Sequence, residues 1–230
     1  MLFTSDTLGG IFNKRNSNEE SMTHVPSPAA EQWNTRYGDA DYFYGTEPND
    51  FLRENAHHLP DGPILCLADG EGRNSVFLAS LGREVHSVDI AAAGVEKTRR
   101  LAVERGVTVH AEVGDLATFD LGQLKWAGIV SIFSHLPSEL RKDLHRRVVE
   151  SLQPGGVVIL EAYTPDQIGR GTGGPQVEDL LMTEKALRSE FAELELIHIQ
   201  ECVRDVVEGT GHTGTAAVVQ VVARKNSILA

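Results

Sequence analysis

From residue 64 onward, short apolar runs alternate with longer amphipathic segments. ILCL (64–67) is apolar throughout, the pattern of a strand buried on both faces. RNSVFLASL (73–81) follows as a helix closed by Gly82. EVHSVDI (84–90) is a second strand. AAGVEKTRRLAVER (92–105) is a helix with Val95, Thr98, Leu101 and Ala102 on one face and Gly106 as its stop. VTVHAEV (107–113) and WAGIVSIF (126–133) are the third and fourth strands. PSELRKDLHRRVVESL (137–152) is a helix with Leu140, Leu144, Val148 and Leu152 at every fourth position, and PGGVVILEAY (154–163) is a turn and a fifth strand. After a long loop (164–182), of the kind that usually serves as a lid or binding loop, TEKALRSEF (183–191) is helical. Residues 194–225 hold two long strands joined by a Gly/Thr/His turn, an antiparallel hairpin.

Strand-then-helix order implies right-handed crossovers and a parallel α/β sheet. Upstream, PNDFLRENAHHL (48–59) is a short helix capped by Asn49 or Asp50, with His57 and His58 as surface residues near its end. Residues 1–30 are polar, rich in turn formers and without period, and are expected to be a disordered arm, with Met22 an alternative start. The folded domain is expected over 31–226.

Composition narrows the function. Of 230 residues 41% are hydrophobic, enough for a sizeable core, and the net charge of −12 disfavours nucleic acid as a partner. No apolar run approaches the ~20 residues of a membrane span, and the N-terminus lacks the charged start and apolar stretch of a signal peptide. The two cysteines, Cys66 and Cys202, are far apart, and no His or Cys pair has ligand spacing, so no metal site is expected. A soluble, cytoplasmic protein is expected.

ADGEGRN (68–74) lies between the first strand and its helix, where a doubly wound fold meets a nucleotide-like ligand. Gly70 and Gly72 allow the backbone to approach such a ligand, although a plain tight turn has the same composition. Asp89 ends the second strand, 19 residues after Gly70, where a carboxylate can accept both ribose hydroxyls or cap the next helix. Asp115 ends the third strand, placed to accept from an adenine amino group with Leu116 on the ring, or to serve as a turn aspartate. The small Ser75 at the third glycine position keeps an NAD(P)-dependent oxidoreductase open as an alternative.

The segments WNTRYGDADYFYGTEPNDFL, LCLADGEGRNSVFLASLG, SIFSHLP, GTGGP and EGTGHTGTAAVV, with the helix running into Pro154-Gly155-Gly156 and the terminal hairpin, resemble class I S-adenosylmethionine-dependent methyltransferases. Within that class they are similar to the bacterial tellurite-resistance-type methyltransferases. The resemblance covers residues 33–224. It implies a Rossmann-like doubly wound seven-stranded sheet, mostly parallel, with a C-terminal antiparallel hairpin and helices on both faces. It implies S-adenosylmethionine as cofactor and a small-molecule acceptor: a metalloid oxyanion, a thiol or another metabolite. Arg73 and Asn74 would lie beside the methionine portion. Tyr37, Tyr44, Ala68, Gly70, Gly72, Asp89, Ile90, Asp115, Leu116 and Phe133 complete the expected cofactor set. Two departures stand out. Cys66 occupies the family's acid position, and Ala68 its first glycine, which permits close approach only if its φ is negative. A non-catalytic cofactor binder on the same fold therefore remains an alternative.

Methyl transfer from a sulfonium is an in-line displacement with a neutral leaving group, so positioning and water exclusion dominate. A hydroxyl or amine acceptor also needs a base, whereas a thiolate or metalloid oxyanion does not. His135, after the fourth strand, is either that base or an imidazole bonded to a loop carbonyl. Tyr163 ends the fifth strand and is a second catalytic candidate. Glu161, beside it, would pair with Arg170 or loop amides. His212 lies in the turn after Glu208 and matters only if that turn folds over the site. Aromatic faces attract sulfonium: Tyr37 and Tyr44 are expected at the cofactor, while Trp33 and Tyr42 clamp the N-terminal helix to the sheet. Arg36, Arg73 or Arg170 would offset the acidic field for an anionic acceptor.

Overall fold

The computed structural model describes residues 27–227. Seven strands form one sheet: β1 (Ile64–Leu67), β2 (Val85–Asp89), β3 (His110–Val113), β4 (Trp126–Ile132), β5 (Leu152–Tyr163), β6 (Leu194–Glu208) and β7 (His212–Lys225). Their order is β3-β2-β1-β4-β5-β7-β6. The first five pair in parallel, while β7 runs antiparallel to both β5 and β6. The order reverses at β1, which puts a crevice at the carboxyl ends of β1 and β4.

Both faces of the sheet are covered, which is why β1 reads as an unbroken apolar run. Leu65 and Leu67 pack with Ile129, Leu144 and Phe191 on the side of α5 (Ser138–Ser151) and α6 (Glu184–Glu190). Ile64 and Cys66 point to the other face, with Phe51, Leu52 and Leu78 of α2 (Asp50–Asn55) and α3 (Arg73–Ser80). The amphipathic α4 (Ala92–Glu104) covers the β2–β3 edge region, its Leu101 and Ala102 packed with Val76.

Three expectations shift. Helix α1 (Pro28–Arg36) begins inside the expected arm: Ser27 Oγ accepts from the Ala30 N–H at 3.3 Å, Pro28 opens the first turn, and Ala30 is buried. Residues 27–30 of the expected arm thus belong to folded structure, and Met22 lies outside the described residues. The third strand starts at His110, because Val107 and Val109 pack against the α3–α4 side before pairing begins. The long loop holds two short 3-10 turns, Pro165–Gln167 and Glu178–Leu180. No helix among the described residues is long and apolar enough to cross a membrane.

Candidate active site

The glycine loop turns tightly between β1 and α3. Asp89, at the end of β2, reaches across it: its Oδ2 accepts from the Gly70 N–H and its Oδ1 from the Ala91 N–H, both at 2.8 Å. The carboxylate thus fixes the loop and shapes the start of α4 at once. Burial raises the Asp89 pKa, and the backbone donors work against that. Ile90, beside it, is half-buried. Ala68 has φ +47°, so the condition set for its close approach fails. A left-handed alanine costs on the order of 1 kcal/mol, which the family's usual glycine avoids.

Asp69, which sequence reasoning passed over, lies nine-tenths buried beneath the loop. Its Oδ2 accepts from Ser75 Oγ and Ser87 Oγ, at 2.5 and 3.0 Å, while its Oδ1 has no partner. Burial raises its pKa to about 6, against the pull of those two hydroxyls.

Tyr37 is buried with its hydroxyl over Gly70: a Cβ built on Gly70 would lie 2.8 Å from it. Trp33 stacks on Tyr37 at 5.4 Å between centroids. Tyr42 instead donates to the Lys97 carbonyl at 3.2 Å and packs on the α4 side, so it fastens its segment to that helix rather than to the sheet as expected. The buried Glu71–Lys97 ion pair (2.7 Å) fastens the same segment, since Glu71 Oε2 accepts from the Tyr44 N–H and Lys97 Nζ donates to the Asp41 carbonyl. At the other end of the crevice, Asp115 is exposed and accepts from the Ala117 N–H at 2.9 Å, the turn role weighed for it. Leu116 packs into the main core with Leu65, Leu67 and Val88.

Around the tips of β4, β5 and β7 the structure gathers the three catalytic candidates. Phe133, with φ +53°, stacks on Tyr163 at 4.5 Å. His135 also stacks with Tyr163, at 5.5 Å, and lies 6.3 Å from Phe133; His212 meets Tyr163 edge-on at 5.2 Å and lies 4.4 Å from the tilted Tyr44 ring. His135 Nδ1 faces the Leu180 carbonyl at 2.9 Å, so that nitrogen carries the proton, and Nε2 accepts weakly from the Tyr163 N–H at 3.5 Å. Burial pushes the His135 pKa down to about 4. Both its nitrogens are occupied by backbone, which favours the positional role over the basic one. The Tyr163 hydroxyl is buried without a partner, and burial raises its pKa strongly.

His212 is buried because its turn folds back over the site. The Thr210 N–H donates to the Phe43 carbonyl at 2.9 Å, and a Cβ on Gly211 would fall 2.3 Å from the Phe43 ring. The GTGGP loop closes the other side: a Cβ on Gly173 (φ +107°) would meet His212 Cδ2 at 2.8 Å and the Tyr163 hydroxyl at 3.3 Å. Gln167 pins this loop by donating to the Gly173 carbonyl, at 2.9 Å. His212 Nδ1 donates to Glu208 Oε2 at 3.3 Å; a carboxylate only accepts, so Nδ1 holds the proton and Nε2 presents its lone pair. Burial lowers the His212 pKa, with Glu208 opposing it.

Beneath these rings runs a buried charge network. Glu161 is fully buried and takes both nitrogens of the Arg204 fork (2.8 and 2.6 Å), Asn49 Nδ2 (2.6 Å) and Gln220 Nε2 (2.7 Å). Its partner is Arg204, correcting the expected pairing with Arg170, which is exposed and donates to the Asp166 carbonyl. Arg73 pairs with Glu208 at 2.6 Å, and Asn74 Oδ1 accepts from the Asn49 N–H at 3.0 Å. Burial pushes the Glu208 carboxyl up, but His212 and Arg73 outweigh it and hold the pKa at about 2. Arg204, Glu208 and Asn49 were missed as site residues. The available signal was period two: Arg204, Val206 and Glu208 alternate onto one face of β6, where a polar residue demands a partner.

The family model described as a methyltransferase domain matches residues 64–156. A 2-heptyl-1-hydroxyquinolin-4(1H)-one methyltransferase from Mycobacteroides abscessus is 27% identical over 113 residues, covering 46% of this chain and 50% of that protein. The chain therefore spans about half the length of the curated relative it matches. TehB from Haemophilus influenzae has a similar structure at 18% identity, with a TM-score of 0.65 over 86% of this chain and 67% of that one. The CcbJ methyltransferase from Streptomyces caelestis is similar at 19% identity, with a TM-score of 0.62 over 89% of this chain and 100% of that one. At these identities the structural likeness is one of fold. Residues 64–156 thus match a methyltransferase domain, and the sheet with its inserted antiparallel strand has the fold of the S-adenosylmethionine-dependent methyltransferases it is similar to.

Proposed function

We propose that this protein transfers a methyl group from S-adenosylmethionine to a hydroxyl oxygen of a small, planar aromatic acceptor. The carrying observation is the His212–Glu208 pair set among Tyr44, Phe133 and Tyr163. The residues fit the cofactor in that the rings of Tyr44, Phe133 and Tyr163 offer π faces to a sulfonium, beside a glycine loop whose Gly70 and Gly72 pack against Tyr37 and Thr98. When bound, S-adenosylmethionine supplies an electrophilic methyl whose departure leaves a neutral thioether.

The chain's own groups supply the rest. Asp89 holds Gly70, Tyr37 covers it, and Tyr44 and Phe133 pack against the His212 ring. A neutral His212 takes the acceptor's proton at Nε2 while Glu208 stabilises the resulting imidazolium through Nδ1. A positioned base with a depressed pKa has work to do on a protonated acceptor and none on a thiolate or metalloid oxyanion, which supports the hydroxyl class. The Mycobacteroides relative is a methyltransferase of a hydroxylated quinolone, in keeping with this class.

Calorimetric titration with S-adenosylmethionine and NADH tests the cofactor, and binding of NADH alone overturns the reading. Labelled-methyl transfer to a panel of hydroxyquinolines, thiols and tellurite tests the acceptor. Transfer only to thiols or tellurite refutes the hydroxyl class, and tight binding with no turnover on any acceptor points to a non-catalytic binder. His212→Ala is expected to lower kcat by ~10²–10⁴-fold with cofactor affinity unchanged.

A further inference from the structure

Four cations reach the site from the surrounding elements, and three are neutralised. Lys97 pairs with Glu71, Arg73 with Glu208 and Arg204 with Glu161. The fourth, Arg36 at the end of α1, has no carboxylate within 4.0 Å among the described residues. Its guanidinium sits over the Trp33 ring at 4.8 Å and the Phe43 ring at 5.2 Å, and its one hydrogen bond runs from NH1 to the Tyr44 hydroxyl at 3.1 Å. Two aromatic faces thus hold a half-buried planar fork in place while most of its five N–H donors stay unused. Arg36 acts electrostatically on its neighbours, depressing the pKa of His212 and opposing the rise at Tyr37 and Tyr44. In a chain of net charge −12, an ordered cation left without a carboxylate beside a proposed reaction centre is a receptor awaiting its anion.

We infer that Arg36 binds an anionic group of a ligand of this site, a carboxylate or oxyanion, and closes the aromatic segment over it. The inference rests on the methyl-transfer reading above. Two sources share the chemistry: the α-carboxylate of the cofactor and an oxyanion of the acceptor. The Arg36–Tyr44 bond makes the device report to the site, because the Tyr44 ring also contacts His212.

The test compares wild type with Arg36→Gln and Arg36→Lys in two calorimetric arms. The first titrates S-adenosylhomocysteine and 5′-methylthioadenosine, which share the nucleoside thioether but differ in the amino-acid portion. The second titrates benzoate and its neutral analogue benzamide into protein loaded with S-adenosylhomocysteine. If the cofactor is the source, Arg36→Gln weakens S-adenosylhomocysteine by roughly 10–100-fold, in a salt-dependent way, and leaves methylthioadenosine unchanged. If the acceptor is the source, wild type prefers benzoate over benzamide and Arg36→Gln abolishes the preference. In either case Arg36→Lys falls between, keeping the charge but not the fork. Equal weakening of both nucleosides identifies a packing role for Arg36 and overturns the inference, as does no change in either arm. Failure of wild type to bind either nucleoside overturns the methyl-transfer reading itself, a result distinct from an Arg36 variant that binds like wild type.

Discussion

Asp69 carries a buried carboxylate with one oxygen bound to Ser75 and Ser87 and the other bound to nothing, and replacing it by asparagine removes the charge while keeping the shape. Burial raises its pKa from the ordinary 3.8 to about 6. The folded protein therefore holds this proton more tightly than the unfolded chain does. Its contribution to stability is fully present below the unfolded value and is lost as pH rises through the folded one. The gap corresponds to ~3 kcal/mol at about 1.4 kcal/mol per pH unit, of which roughly half is lost between pH 5 and pH 8. Asp69→Asn cannot ionise and escapes this loss. Urea unfolding of wild type and variant at pH 5 and pH 8 reads the difference, because titrating groups that do not interact with Asp69 cancel in the comparison. The variant is expected to gain ~1–2 kcal/mol on wild type between the two conditions. A wild-type-minus-variant difference that does not move with pH refutes the reasoning.

Glu161→Gln leaves the Arg204 fork facing an amide and is expected to destabilise by ~3–5 kcal/mol in chemical unfolding, whereas replacing Glu161 and Arg204 together by Leu and Met should cost much less than the two single changes summed. A loss under ~1 kcal/mol for the single variant contradicts the network's assignment. His135 is held neutral in the fold with a pKa near about 4 against the ordinary 6.5, so its contribution is present above pH 6.5 and lost as pH falls toward 4. His135→Gln should remove ~2 kcal/mol of acid sensitivity between pH 7.5 and pH 5, measured as the same wild-type-minus-variant difference. Gly211→Val drives a side chain into the Phe43 and Tyr44 rings, 2.3 and 2.4 Å from where its Cβ must sit, and should separate the hairpin turn from the N-terminal segment. The readout is methyl transfer lost with the far-UV spectrum retained; full activity would show that the turn does not close the site.

The strands were legible because period and burial agree. ILCL is buried at all four positions, as a strand covered on both faces must be. The hairpin was legible for the complementary reason: β6 and β7 are long and their turn is made of small residues. Helix α1 was not, because it presents one fully buried residue before Tyr37, Ala30, and its cap serine lies in a run of turn formers. The glycine loop and Asp89 were found by spacing, and Asp89 does reach Gly70 across that interval. The partners of Glu161 were not found, because sequence proximity suggests Arg170 while the sheet register delivers Arg204. Glu161 lies opposite Gln220, which lies opposite Gln200, and Arg204 is two alternations further along the same face of β6. Local pattern identifies which positions point inward; it does not say which strand will stand beside them.

The bond between Thr210 and Phe43 spans 167 residues, and those from Glu208 to Asn49 and Arg73 span 159 and 135. Contacts of such separation form late, since chain entropy must be spent before they repay it. During synthesis the segment that matches the methyltransferase domain leaves the ribosome before β6 does, with Arg73 and the preceding Asn49 still lacking the carboxylate that β6 will bring. The charge network around Glu208 is therefore the last part of the fold to mature. A ligand that recognises only the completed network has no purchase on the growing chain and meets the protein after the two ends of the fold have been joined.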